Sequence, residues 1–177
     1  MSVALGVLLG APPVFGLTRP AQFTAGARAF ARNLPVGVVL MLLGTAWFLY
    51  YFSLEAIADF ASMKPYMMAG FGAVGVGACF YLQDYLAVRG LAVVLLLLGK
   101  LMADTARWAE TDWRLVIVSL AYVFVVSGMW LTVYPWHLRD LLNWATASPG
   151  RTRVVNAAGL ALALLILVLG LTAFRPA

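Results

Sequence analysis

One cysteine and one histidine stand among 177 residues, and only 11% of the chain is charged. A single thiol, Cys79, excludes an intrachain disulfide. With Cys79 and His137 as the whole stock of thiolate and imidazole, a Cys/His zinc site of three or four ligands cannot be built, nor can a bis-histidine haem. Cys79 lies between Gly77, Ala78 and Phe80 in an apolar run and reads as a small buried residue. No Gly-rich phosphate loop, nucleophile elbow or H-E-x-x-H pair is present. No catalytic residue, metal site or cofactor is therefore expected.

The scarcity of charge excludes more. A soluble domain carries roughly a quarter of its residues as Asp, Glu, Lys and Arg. Here 64% of the residues are apolar and the mean hydropathy is +0.94. A soluble globular protein, a disordered chain and a nucleic-acid-binding module are all excluded. A net charge of +5, from twelve basic and seven acidic residues, would elsewhere suggest nucleic acid. Most of these basic residues border apolar runs, where they set topology instead. Ten of the twelve are arginine, a bias that a GC-rich bacterial genome also produces.

A spanning helix needs about 20 mostly apolar residues. The runs predict six, at about 2–18, 35–53, 66–83, 88–105, 115–134 and 154–174. The fourth contains only Gly90–Gly99 free of charge, so charged side chains must snorkel from its ends. Val3 to Leu17 is interrupted by Pro12 and Pro13, and its positive charges follow it at Arg19, Arg28 and Arg32. A signal peptide has the opposite charge order, so this stretch reads as a membrane segment. The expected fold is all-α: a polytopic transmembrane bundle forming one membrane domain over 1–177.

Lys and Arg in short loops orient such a bundle. One side holds seven: Arg19, Arg28, Arg32, Arg89, Arg139, Arg151 and Arg153. The other holds five: Lys64, Lys100, Arg107, Arg114 and Arg175. Asp84 and Asp140 lie on the first side; Glu55, Asp59, Asp104, Glu110 and Asp112 lie on the second. The first side is expected to be cytoplasmic, with both termini outside. Aromatic residues gather near the interfaces at Trp47, Tyr50, Tyr51, Tyr81, Tyr85, Trp108, Trp113, Tyr134, Trp136 and Trp144.

The chain also repeats itself. After Pro135, Leu138, Leu141, Leu142 and Ala145 fall on one helical face, while Arg139, Asp140 and Asn143 take the other. A shift of 115 residues sets Pro20 against Pro135 and Gly44 against Gly159. Phe23, Gly26, Ala27 and Phe30 match the apolar face, with Arg28 and Arg32 off it. Each piece, at about 12 residues, is too short to cross. Each is expected to lie flat in the cytoplasmic interface, with Arg28, Arg32, Trp136, Arg139 and Trp144 among the headgroups. Residues 1–53 and 115–174 then form two parallel span–interfacial helix–span units around a central pair at 66–105.

Residues 120–175 also carry a pattern of Ser127-Gly128, Pro135-Trp136, Leu138-Arg139, Leu141-Leu142, Pro149, Arg151–Arg153, Gly159-Leu160, Leu169-Gly170-Leu171 and Arg175. This third of the chain resembles the YjeT-like two-helix proteins of the bacterial inner membrane. Gly150 stands where that family has an acidic residue after the loop proline. The resemblance implies a bacterial inner-membrane location and carries over no functional residue.

Few side chains offer chemistry. Lys100, Asp104 and Arg107 share a helix face at i, i+4 and i+7. They would line an ion or proton path if turned inward, or snorkel to the headgroups if turned outward. Asp84 and Arg89 flank a tight turn as helix caps or a local pair. Glu55 and Asp59 read as a solvated face. His137 and Asp140, three apart, suit a proton relay or headgroup contact. Small residues supply the packing signal: Ala69, Ala73 and Gly77 on one helix, with Gly72 and Gly75 as a second patch, and Gly159 and Ala163 on the last. The function expected is a non-enzymatic membrane subunit or scaffold, associating with the bilayer and with itself or other membrane proteins. A small transporter or channel with its path near Lys100 and Asp104 is the alternative. A membrane enzyme acting on lipid headgroups through His137 and Asp140 is a weaker third.

Overall fold

Helix α1 (Ser2–Thr18) runs on through Pro12 and Pro13, so the two prolines do not interrupt it as the sequence suggests. Neither proline has an N–H, so the carbonyls of Leu8 and Leu9 receive no bond from the position four residues on. The computed structural model of the chain describes residues 2–56, 58–107 and 113–172. Among these, every regular element is helical. After α1 come α2 (Pro20–Phe30), α3 (Leu34–Leu54), a 3-10 turn (Ala58–Met63), α4 (Lys64–Tyr81), α5 (Leu86–Arg107), α6 (Arg114–Val133), α7 (Trp136–Ala145) and α8 (Pro149–Thr172). Glu110, Asp112 and Arg175, assigned above to the outer side, and the interfacial Trp108 lie outside the described residues.

Four helices are long and apolar enough to cross a bilayer: Leu34–Leu54, Leu86–Arg107, Arg114–Val133 and, within α8, Pro149–Val168. On length and composition alone, this is two fewer than the six spans expected. Helix α1, with 17 residues, and α4, with 18, make the difference. Large apolar side chains also face outward, including Val39 on α3, Val74 and Phe80 on α4, and Val123 and Val126 on α6. A water-facing surface of this kind would be unfavourable. These are the features of a membrane protein.

The two ends of the chain break at matching places. Thr18 and Val133 close α1 and α6, Phe30 and Ala145 close α2 and α7, and Leu34 and Pro149 open α3 and α8; each pair is 115 residues apart. The capping matches too. Asn33 Oδ1 accepts from Val36 N at 3.2 Å, and Ser148 Oγ accepts from Arg151 N at 3.2 Å. Each supplies one of the orphan N–H groups of a helix start with its acceptor.

The chain divides into two compact units. One comprises Met1–Ala29, Lys100–Val123 and Arg139–Ala177. In it α1 lies antiparallel to α8. A Cβ added at Gly6 would touch Leu167, one at Gly10 would touch Ala163, and one at Gly159 would meet Pro13; Gly16 abuts Asn156. Small residues let the backbones approach where lipid supplies no apolar drive. Asn156 and Ala163 are buried on the α8 side of this seam.

The other unit comprises Phe30–Gly99 and Phe124–Leu138. Here α3 and α5 run parallel. Gly37 faces Leu86 and Ala87, Gly90 faces Leu40 and Met41, and Gly44 faces Val93, so the contacts advance along both helices together. Helix α4 runs antiparallel to α3, with Gly75 against Thr45 and Gly72 against Leu49. Phe71 packs edge-on against Phe48 and Phe52. Gly128 of α6 meets Leu96 and the Ala92 carbonyl of α5. Lys64 closes the far end of the α3–α4 hairpin, donating to the carbonyls of Ser53 at 2.6 Å and Glu55 at 2.8 Å.

Candidate functional site

Lys100 and Asp104 face each other across one helical turn of α5, with Nζ donating to Oδ2 at 2.9 Å. Their side chains are 42% and 45% exposed, and Arg107, one turn on, is exposed as well. The pair sits on the surface of its helix rather than in a buried interior. An exposed i, i+4 pair of this kind contributes about 0.3–0.5 kcal/mol. Lys100→Met is therefore expected to leave expression unchanged and stability within about 0.5 kcal/mol of the wild type. Thermal melts of the purified variant check this, and a large loss would show that Lys100 has a structural duty the pair does not explain.

The amphipathic helices α2 and α7 make a tertiary contact with each other. Arg28 of α2 directs its guanidinium at the end of α7, where Nε donates to Thr146 Oγ1 at 3.0 Å and Nη2 to the Thr146 carbonyl at 2.7 Å. The carbonyls that close a helix lack intrahelical partners, and Arg28 satisfies one of them. Arg139 pairs with its neighbour Asp140 at 2.7 Å. Trp144 carries Arg151 over its ring at 5.5 Å, and Trp136 and Trp144 are both exposed.

At the corner between α6 and α7, His137 stands among three rings, with centroids 5.7 Å from Trp130, 5.5 Å from Tyr134 and 5.9 Å from Trp136. Asp140 Oδ1 is taken by Arg139 Nε at 2.9 Å. The pieces of a His137–Asp140 relay are thus each engaged elsewhere.

Small residues separate into two groups. Gly159 and Ala163 lie in the α1–α8 seam, against Pro13 and Gly10. On α4 the edge that meets α3 is the second patch, Gly72 and Gly75, continued by Cys79. Cys79 is buried and its thiol donates to the Gly75 carbonyl at 3.6 Å. Ala69 and Ala73 are exposed, and a Cβ added at Gly70 or Gly77 would touch nothing within 4 Å. The edge of α4 set against α3 is thus Gly72 and Gly75, and not the stripe Ala69–Ala73–Gly77.

Arg89 does not pair with Asp84. Its Nε is buried and lacks a hydrogen-bond partner among the described residues. Arg32 lies over the ring of Tyr85, its Cζ 6.0 Å from the centroid.

Among the described residues, no group of three His, Cys, Asp or Glu side chains comes together to hold a metal. Two open grooves are apolar. One, of about 490 Å³, follows α1 and α8 past Gly6, Gly10, Val14 and Ala163. The other, of about 530 Å³, lies between Leu115–Val123 and Leu162–Ile166. Both suit hydrocarbon rather than a polar substrate.

Comparison extends no further. No protein-family model, curated protein or solved structure matches this chain.

The sequence reading missed the buried polar line of α8. Thr152 and Asn156 are 3% and 4% exposed. Thr152 Oγ1 donates to the Ser148 carbonyl at 3.1 Å, and Asn156 Nδ2 donates to the Thr152 carbonyl at 2.7 Å. The signal was present, because Thr152, Asn156, Gly159, Ala163 and Ile166 follow a spacing of four, three, four and three. That is the seam of a helix pair.

Proposed function

We propose that this chain is a six-span, non-enzymatic membrane subunit of scaffold type, which packs through α4 against a copy of itself or a larger membrane complex. The observation that carries the reading is the outward face of α4. Ala69 and Ala73 are exposed there, and Gly70 and Gly77 leave open space beside the backbone. Such a face permits close approach of a second helix within lipid.

The six-span count draws support from helix direction. Parallel α3 and α5 must enter from the same side, so the chain between them has to recross, and α4 is the one α-helix there among the described residues. Its 18 residues reach about 27 Å at 1.5 Å per residue, close to the hydrocarbon thickness of about 30 Å. Helix α1 accompanies α8 from Gly6 opposite Leu167 to Gly16 opposite Asn156, so it shares the depth of a helix that is itself long enough to span. Together with the charge asymmetry of the loops, this supports a reading in which α2, α7 and the α4–α5 turn face the cytoplasm of a bacterial inner membrane, with both termini outside. The matched boundaries of α1–α3 and α6–α8 support an internal repeat, of which residues 120–175 are the YjeT-like copy.

The test is gentle extraction from native membranes followed by native mass spectrometry. The reading predicts a stoichiometric partner or a defined homo-oligomer. It also predicts that Ala73→Leu releases that partner without lowering the unfolding temperature. A bare monomer that conducts ions in vesicles would contradict it.

A further inference from the structure

We propose that Arg32 and Arg89 form a binding site for a phosphate-bearing anion, supplied by the headgroup of an anionic phospholipid. Arg89 stands in the first turns of α5, with its Nε buried and unpartnered among the described residues. A guanidinium cannot shed its charge by losing a proton. Burying one of its donors without an acceptor is therefore unfavourable beyond the cost for a neutral group. Buried donors in folded proteins are nearly always satisfied, so the Arg89 Nε calls for an explanation, and a bound anion is one that suits a guanidinium.

Arg32 belongs to the same corner. Ala31 and Val88, the residues that precede the two arginines, pack into one buried cluster with Ala92 and Leu131, and Tyr85 packs against that cluster. The Tyr85 ring lies under the Arg32 guanidinium. The Tyr85 carbonyl accepts from Arg89 N at 3.1 Å. Tyr85 thus contacts one arginine through its ring and the other through its backbone. An anion seated at this corner would be attracted by both cations. Phosphate suits the pair, because its oxygens accept the paired N–H groups of a guanidinium fork. Asp84, the nearest carboxylate in sequence, is exposed and belongs to neither ion pair of the described residues.

Basic pockets between spanning helices on the cytoplasmic side accept anionic headgroups. The lipid source rests on the six-span reading, which puts this corner at the inner headgroup level. The anion site itself rests only on the geometry.

The experiment uses the full chain in a neutral detergent, with phosphatidylglycerol, phosphatidylcholine and inorganic phosphate as probes. Bound lipid is counted by native mass spectrometry, and unfolding temperature is followed alongside. Phosphatidylglycerol is expected to stay bound and raise the unfolding temperature, whereas phosphatidylcholine and inorganic phosphate do neither. Arg32→Gln and Arg89→Gln are each expected to weaken phosphatidylglycerol binding about tenfold, while Arg153→Gln leaves it intact. Without lipid, Arg89→Gln is expected to melt no lower than the wild type, since it removes a buried donor, Nε, that has no acceptor among the described residues. If Arg89→Gln fails to fold, the exposed Arg32→Gln carries the test. Stabilisation by inorganic phosphate that needs both arginines would support the anion site and overturn its lipid source. Equal response of wild type and both variants to phosphatidylglycerol would overturn the site. A failure of the six-span reading shows separately, in the labelling of the two ends of α4.

Discussion

Replacing Gly37 by alanine is expected to cost about 1–3 kcal/mol, and replacing it by leucine to prevent recovery of folded protein. A Cβ at this position would lie 2.6 Å from Ala87 N and 2.9 Å from the Leu86 carbonyl carbon. Both are backbone atoms of α5, which cannot swing aside as the tip of a side chain does. The crossing is reciprocal, because a Cβ at Gly90 would lie 2.8 Å from Met41 N. Either change pushes apart two helices that are in backbone contact. Gly70→Ala is the matched control. Its Cβ meets nothing within 4 Å, and alanine gains up to about 1 kcal/mol over glycine in a helix interior. The two substitutions should shift the unfolding temperature in opposite directions. Equal shifts would contradict the parallel α3–α5 contact.

The second large effect belongs to the α1–α8 seam. Gly16→Ala is expected to cost about 1–3 kcal/mol from overpacking, with about 1 kcal/mol more from a lost hydrogen bond. The new methyl would overlap the Asn156 carboxamide. That carboxamide is buried and donates to the Thr152 carbonyl at 2.7 Å, so displacing it strands a polar group. Asn156→Ala removes the obstacle. Combined with Gly16→Ala, it should restore much of the loss, so the two changes are strongly non-additive. Additive melting temperatures in the four-member cycle would show that the two residues do not meet.

Much of the architecture is legible in the sequence, because prolines and periodicity mark it. Pro20 and Pro135, each ahead of an amphipathic stretch, give the short helices α2 and α7. Asn33 and Ser148 stand where caps are needed. The apolar runs give the long helices. The choice of packing face is harder to read. On α4 the stripe Ala69–Ala73–Gly77 and the patch Gly72–Gly75 consist of equally small residues, and only the position of Thr45 and Leu49 on α3 decides which turns inward. The Pro12–Pro13 pair reads as a break, yet α1 continues through it, since packing beside α8 outweighs local propensity.

The polar residues separate in the same way. Lys100 and Asp104 attract attention as charges inside an apolar run, and they pair on the helix surface. Arg28 looks like a headgroup ligand, but its partner Thr146 is 118 residues distant, too far for any local pattern to reveal. Arg89 reads as half of a local pair with Asp84, and only the folded chain shows its Nε buried without a partner among the described residues. Side chains defined by a tertiary neighbour leave no periodic trace.

The most direct test of the six-span account is the sidedness of the two ends of α4. In a Cys79→Ala background, single cysteines are placed by Met63→Cys and Asp84→Cys, both at exposed positions. A membrane-impermeant maleimide is then applied to intact cells and to permeabilised ones. The account predicts that Met63→Cys reacts from outside, whereas Asp84→Cys reacts only after permeabilisation. Labelling of both from the same side would mean that α4 does not cross, and would contradict the six-span account.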